Sequence, residues 1–418
     1  MSTEMYRSQS LTPRRINVAS GRELEKLAHY SRAVRVGDMV LQSGTTAIDR
    51  QGNVRGVGDV ATQVETIMTI AGWSMGRAGG SLADVVRSRI YVTDMAHGDP
   101  AVRMLARYFR DARPAATLVQ VNALARPDQL VEIELDAVDG AGQAAQRISS
   151  GRAIEAEYAY SRALRVGERV FISGTTALNA GGDVEAKGDL YGQTRRVMDT
   201  IFRALEQAGG VREDLVYTKT FLTSVDGAAD YTRAWREALG DVRPVSTLLV
   251  VPALLRPEML IEVEAEAVIG ASRSRRDIYT QQRREHPRGY ARAVVAGDAI
   301  YVSGCTSLSA AGEPQAAGDW AAQCDLANEV IRWTLDQAGA SFDDVVRRRT
   351  FTVHGASVNR AHGQGPAWYA GSCPASLGCR IAGLARPELL VEIEVSAVKG
   401  AGAGIERIAP DPVDVLDR

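Results

Sequence analysis

Three glutamates stand where a protein could move a proton. Glu132, Glu262 and Glu392 each open a Glu-x-Glu pair in an apolar run, and each lies 130 residues from the next. A carboxylate on an interior strand, partly stripped of water, has its pKa raised toward neutrality and can serve as acid or base. The competing role is a structural ion pair with a neighbouring arginine. The second glutamate of each pair, such as Glu394, shares the face of the first and continues its polar stripe. The other reactive group is a thiol. Cys305 follows Ser303-Gly304, where the matching positions hold Thr45 and Thr175. Beside a cation it is a candidate nucleophile or proton donor; otherwise it is a small buried hydrophobe. Cys379 reads as core. Cys305, Cys373, His354 and His362 lack close ligand spacing for zinc, so no metal is expected. There is no G-x-S-x-G, no H-E-x-x-H and no P-loop.

These residues recur because the chain is one unit written three times. Arg113–Val138 returns as Arg243–Val268 and again as Cys373–Val398, with Pro114, Pro244 and Pro374 in register. The units are expected over 15–139, 147–269 and 277–399, with tails at 1–14 and 400–418. In the first, GRELEKLAHYSRAVRVG and MVLQSGTTA read as strands. Asp59 caps a helix from Val60 to about Gly76, and Asp84–Asp94 is strand-like. A second helix, about Pro100–Arg110, runs up to Pro114, and strands at Ala116–Asn122 and Leu130–Val138 close the unit. That order predicts an α+β unit, a mostly antiparallel sheet with two helices on one face. The other face is apolar as well, so the units are expected to bury it on one another in a closed ring with pseudo-threefold symmetry. Ile148, Ile278 and Ile408 recur at the same spacing, so the C-terminal tail begins what would be a fourth unit.

The formal charge of −2 argues against nucleic acid, and the run Arg347–Arg349 reads as a solvated strand edge or helix end. No apolar segment approaches the length of a membrane span, and the polar N-terminus has no signal core. Four cysteines in 418 residues make no disulfide framework, which fits a cytoplasmic setting.

The chain resembles the Rid family (YjgF/UK114 type). The signatures are Tyr-Ser-x-Ala at Tyr30 and Tyr160, with Tyr290-Ala291 in the third unit, and Ser-Gly at Ser43, Ser173 and Ser303. A helix glutamine at Gln63, Gln193 and Gln323 and the strand glutamates complete them. The resemblance implies a trimer-like chain whose clefts between neighbouring units bind small carboxylates, with members hydrolysing imines and enamines without a cofactor. The family's arginine two residues after the proline is replaced by Ala116, Ser246 and Ser376, which speaks against the usual imine hydrolysis. Arg32, Arg162 and Arg292, two residues after the cleft tyrosine, are substitutes for anion binding or else partners in a salt bridge. The third unit departs most. It has Asn359, matching a cleft asparagine, and Arg380 on the strand face of Ser376, with Gly378 between them where the other units have Leu118 and Leu248.

The expectation is therefore one specialised cleft in the third unit, acting on an anionic metabolite of the imine, enamine or enol type. Tyr290, Arg292, Ser303, Gly304, Asn359, Ser376 and Arg380 would bind, Glu392 would transfer the proton and Cys305 would assist. Tyr30, Arg32 and Glu132, and Tyr160, Arg162 and Glu262, would form equivalent clefts. A chorismatase-like lyase or hydrolase is the alternative enzyme, and a non-catalytic ligand-binding or scaffold protein the alternative class. The chain would be a pseudo-trimeric monomer, open to higher oligomers, with no nucleic-acid or membrane partner.

Overall fold

The structure, a computed structural model, describes residues 13–280, 285–353 and 366–417. Its three sheets repeat one plan. In the first, the strands lie in the order Glu406–Ile408, Arg15–Val18, Ala33–Val36, Met39–Thr45, Val131–Val138, Val85–Val92 and Ala115–Gln120. Pairing within each unit is antiparallel except for Val85–Val92 with Ala115–Gln120 and its two counterparts. The helix Val60–Arg77 starts where expected. Asp59 lies in the extended region, and its carboxylate accepts the N–H groups of Ala61 and Thr62 at 3.0 and 3.3 Å. This helix lays Val64, Ile67, Met68, Ala71 and Met75 on the sheet. Asp189 and Asp319 cap its counterparts, Leu190–Gln207 and Trp320–Ala338.

The second helix forms over Gly98–Tyr108 and Ala228–Leu239. In the third unit the matching stretch falls partly outside the described residues, and its described end is a short 3-10 turn, Pro366–Tyr369. The segment before the first hairpin is not all strand. A helix of one turn, Glu23–Leu27, interrupts it and carries the buried Glu25. Alternating apolar residues hid that turn, since one helical turn is too short to show a period.

The opposite sheet faces meet in a shared core. Tyr91, Val119 and Val121 of the first unit, Phe221, Leu249 and Val251 of the second, and Phe351, Cys379 and Ile381 of the third form one cluster. Each such side chain contributes about 1.5–3 kcal/mol on burial, so a lone unit would expose this surface at heavy cost. Beside it lies a buried ionic layer. Arg89 donates to Glu264 of the second unit at 2.7 Å, Lys219 meets Glu394 of the third at 2.9 Å, and Arg349 meets Glu134 of the first. Each unit thus touches both others, in the same sense. Arg347, Arg348 and Arg349 are 2, 4 and 4% exposed, so the arginine run is an interior strand and not a solvated edge. Arg347 and Arg349 are held there by Glu134 and Asp136 of the first unit, and Arg349 also by Glu394, which the local sequence does not display.

The C-terminal tail completes the first sheet. Glu406, Arg407 and Ile408 pair in parallel with Ile16, Asn17 and Val18. Among the described residues no helix is long and apolar enough to cross a membrane.

Candidate functional site

The repeated motif residues mostly hold the units together. Ser43 Oγ donates to Ser31 O at 2.6 Å and accepts the N–H of Ser376 in the third unit at 2.8 Å. Ser173 clips Ala116 and Ser303 clips Ser246 with the same 2.8 Å bond. The carbonyls of Pro374, Pro114 and Pro244 accept N–H groups of Ser31, Ser161 and Ala291 in the adjoining unit at 3.1–3.2 Å. Ser303 is fully buried by its clip, which removes it from the substrate-binding set. Gln63 donates to Asp128 O and accepts from Leu130 N, both at 2.8 Å, fixing the entry to the strand that carries Glu132. Gln193 and Gln323 repeat the latch.

The motif arginines are also committed. Arg32 Nε meets Glu25 at 3.0 Å, its Nη1 reaches Gly44 O at 3.1 Å, and its Nη2 donates to Tyr30 Oη at 2.7 Å. Arg162 pairs with Glu155 at 3.5 Å and reaches Gly174 O and Tyr160. Arg292 pairs with Glu285 at 2.9 Å and reaches Gly304 O. These arginines orient the tyrosine and the Ser-Gly loop, each paired with a buried glutamate, while Arg32 and Arg162 also line cavities. Cys305 lies in the third unit's core, fully buried. Burial pushes its thiol up although Arg292 lies 3.4 Å away, which favours the neutral thiol over the nucleophilic thiolate.

Glu132 and Glu262 line cavities between neighbouring units. A side chain at Gly44, Gly174 or Gly304 would overlap the carboxyl of Glu132, Glu262 or Glu392, so the glycine of Ser-Gly makes room for the acid. Burial pushes each of the three up to about 8, with Arg32, Arg162 or Arg292 pulling the other way. For Glu262 and Glu392, backbone N–H groups of Leu118 and Leu248 also favour the anion; none acts on Glu132. The second glutamates behave oppositely. Burial would raise Glu134, but Arg347, Arg349 and Arg89 overcome it and hold its carboxyl well below the usual range.

Each cleft draws on two units, and this divides the residues expected to share one. Tyr290, Arg292, Gly304 and Glu392 face the second unit, where Gly304 N–H meets Ser246 O at 3.2 Å. Ser376 and Gly378 face the first unit instead. They line a cavity of about 90 Å³ with Tyr30, Arg32, Gly44 and Glu132. Arg380 follows on the same strand, half-buried, and its backbone pairs with Ala123 of the first unit. Asn359 lies outside the described residues, as do His354 and His362. The third unit's departures therefore belong to the Glu132 cleft, not to that of Glu392. Strand parity put Ser376, Gly378 and Arg380 on one face; which neighbour that face meets is a property of the assembled chain. Among the described residues no cluster of His, Cys, Asp and Glu could hold a metal.

One functional candidate was missed. Arg348, from the neighbouring strand Val345–Thr352, places Nε and Nη2 3.2 and 3.1 Å from Ser376 Oγ, where the family's arginine would emerge. Nη2 also reaches Ala28 O at 3.1 Å, and the guanidinium lies 4.7 Å from the Tyr369 ring centre. Among the described residues no carboxylate pairs with it, and burial lowers its pKa. Its counterparts are Ser88, which lines the second unit's cleft of about 100 Å³, and Thr218. The signal in the sequence was this Ser/Thr/Arg difference across the repeat.

The endoribonuclease L-PSP family profile matches residues 20–139, 150–269 and 280–399. The chain belongs to this family, the Rid (YjgF/UK114) family. An uncharacterized protein of Streptomyces coelicolor is 35% identical over 129 residues, 31% of this chain and 96% of the relative. The 3-aminoacrylate deaminase RutC of Acinetobacter baylyi is 36% identical over 107 residues, 26% of this chain and 84% of the relative. Among solved structures, a YjgF/YER057c/UK114 family member from Mycobacterium tuberculosis is 41% identical, covering 30% of this chain and 98% of its own, with a TM-score of 0.27. A chorismatase covers 76% of this chain and 93% of its own at 16% identity and a TM-score of 0.52, a likeness of fold.

Proposed function

We propose that the chain hydrolyses a small carboxylate-bearing imine or enamine in the cleft between the first and third units. Arg348 carries this reading. A buried guanidinium with no carboxylate partner among the described residues donates to Ser376, which lines a cavity together with Glu132, whose carboxyl is pushed up by burial; that pair suits an anionic ligand. Arg348 would grip the substrate carboxylate. Glu132, protonated at neutral pH, would give its proton to the enamine carbon or imine nitrogen and then take one from the attacking water. The C=N bond becomes C=O, and ammonia leaves. Tyr30, whose oxygen already accepts from Arg32, has its hydroxyl proton left to donate to substrate or water.

The absent arginine spoke against imine hydrolysis; a guanidinium arriving from the next strand removes that objection. The relative's activity on 3-aminoacrylate, an enamine bearing a carboxylate, is of this class. The family's description names an endoribonuclease, but a cleft of about 90 Å³ suits a small carboxylate better than a polynucleotide. The test is hydrolysis of 2-imino acids generated in situ by an amino-acid oxidase. Glu132→Gln should lower turnover by roughly 10²–10⁴-fold, while Glu262→Gln and Glu392→Gln leave it within a few-fold. Equal loss in all three would refute the assignment to one cleft. A protein that binds 2-oxo acids and shows no hydrolysis would be the non-catalytic alternative.

A further inference from the structure

The chain's last residues occupy a groove on the first unit. Asp411 accepts from Trp73 Nε1 at 2.9 Å and lies 3.4 Å from Arg77. Asp414 lies 3.5 Å from Arg22 and accepts the Arg50 N–H at 2.8 Å, and Asp417 meets Arg55 at 3.2 Å. A proline-containing acidic segment that ends in the 3-10 turn Val415–Asp417 is thus held by four arginines, behind the short parallel strand Glu406–Ile408.

The corresponding groove on the second unit keeps Arg22 as Arg152 but has Ala180, Glu185 and Gln207 where Arg50, Arg55 and Arg77 hold the tail, and no part of this chain fills it among the described residues. It is a cavity of about 310 Å³ lined by Arg152, Arg162, Arg196 and Arg203, with Glu185 beside Arg196 at 3.5 Å. Arg152 stands at the position of Arg22 and Arg203 at that of Trp73. Arg152 is held in the same way as Arg22: Nε donates to Asn179 O at 3.1 Å, as that of Arg22 does to Ile48 O at 2.8 Å. Arg22 then meets Asp414; among the described residues neither Arg152 nor Arg203 meets a carboxylate. The adjoining strand, Gln146–Ile148, is the edge of its sheet, at the position where Arg15–Val18 receives the tail. The third unit has Leu326, Val330 and Trp333 in place of Arg196, Thr200 and Arg203, so the cationic groove is particular to the second.

We propose that the second unit's groove docks an extended acidic peptide segment of a partner protein, as the first unit's groove holds the tail. The tail shows what chemistry suits this groove: a carboxylate at the place of Asp414 would meet Arg152 and one at the place of Asp411 would meet Arg203, on a backbone able to add to a sheet edge.

The probe is a fluorescent peptide with the sequence of residues 405–418, titrated into the full chain by anisotropy. One peptide should bind per chain, and binding should weaken steeply between 50 and 500 mM salt. The double substitution Arg152→Ala/Arg203→Ala should weaken it at least tenfold. So should Asp→Asn at all three peptide aspartates, a comparison that needs no altered protein. The proposal is overturned if the peptide does not bind, or if it binds the double variant equally well. Loss of binding in Arg22→Ala/Arg77→Ala instead would mean exchange with the resident tail, and also overturns it. A dimer that vanishes when residues 409–418 are deleted would assign the groove to a second copy, contrary to the proposal.

Discussion

Arg348 Nη2 lies 3.1 Å from Ser376 Oγ, and this hydrogen bond joins a departure of the third unit, an arginine where its siblings have Ser88 and Thr218, to the serine that follows Pro374. The hydroxyl stands where the family carries an arginine; the guanidinium arrives from the strand alongside. Ser376 lines the Glu132 cleft, and Arg348 stands directly behind it.

A guanidinium buried without a counter-charge costs stability. Replacing it by the residue of the second unit, Arg348→Thr, should therefore stabilise the fold by about 1–3 kcal/mol while abolishing anion binding. Thermal unfolding monitored by circular dichroism, with and without a 2-oxo acid, measures both. A lower melting temperature in the variant would show that Arg348 is structural.

The three cleft glutamates set the pH dependence of stability. Their folded-state pKa values, about 8 against an ordinary 4.5, mean that the folded chain keeps protons the unfolded chain releases. The stability this gives is complete below about pH 4.5 and is lost as pH rises through 8. Glu134, Glu264 and Glu394, held low by their cations, have the opposite sign and matter on the acid side. Melting temperature should fall between pH 5 and 8.5, and the triple Glu→Gln variant at 132, 262 and 392 should flatten that fall. An unchanged slope would contradict the buried, neutral carboxyls.

The central ionic layer is balanced although its three parts differ. Arg87, Arg89, Lys219, Arg347 and Arg349 face Glu134, Asp136, Glu264, Glu266 and Glu394, five against five. Where the second unit has Tyr217 in place of Arg87 or Arg347, the third has Ser396 in place of Asp136 or Glu266. Tyr217→Arg should destabilise by about 1–3 kcal/mol, and adding Ser396→Glu should restore most of the loss. Denaturant unfolding of the four proteins measures the coupling; additive effects would mean the two sites ignore each other.

Much of this molecule is legible in its sequence because the repeat shows it three times over. Asp59, the Val60–Arg77 helix and the Glu132 strand follow from capping and period. Roles that need a second unit do not. Ser303 reads as a cleft hydroxyl but is a clip, because its acceptor and donor come from segments far apart in the chain. Cys305 reads as reactive from its neighbours in sequence, yet the core of its own unit covers it. Arg347–Arg349 read as solvated because carboxylates that hold Arg347 and Arg349, Asp136 and Glu134, lie more than 200 residues away. Arg348 was hidden in that run.

The most direct test of the account is calorimetric titration of pyruvate, a product-like 2-oxo acid, into the full chain and into Arg348→Met. The account predicts one site per chain in the parent protein and at least tenfold weaker binding in the variant, with the fold intact by circular dichroism. Three equivalent sites, or binding that Arg348→Met leaves unchanged, would contradict it.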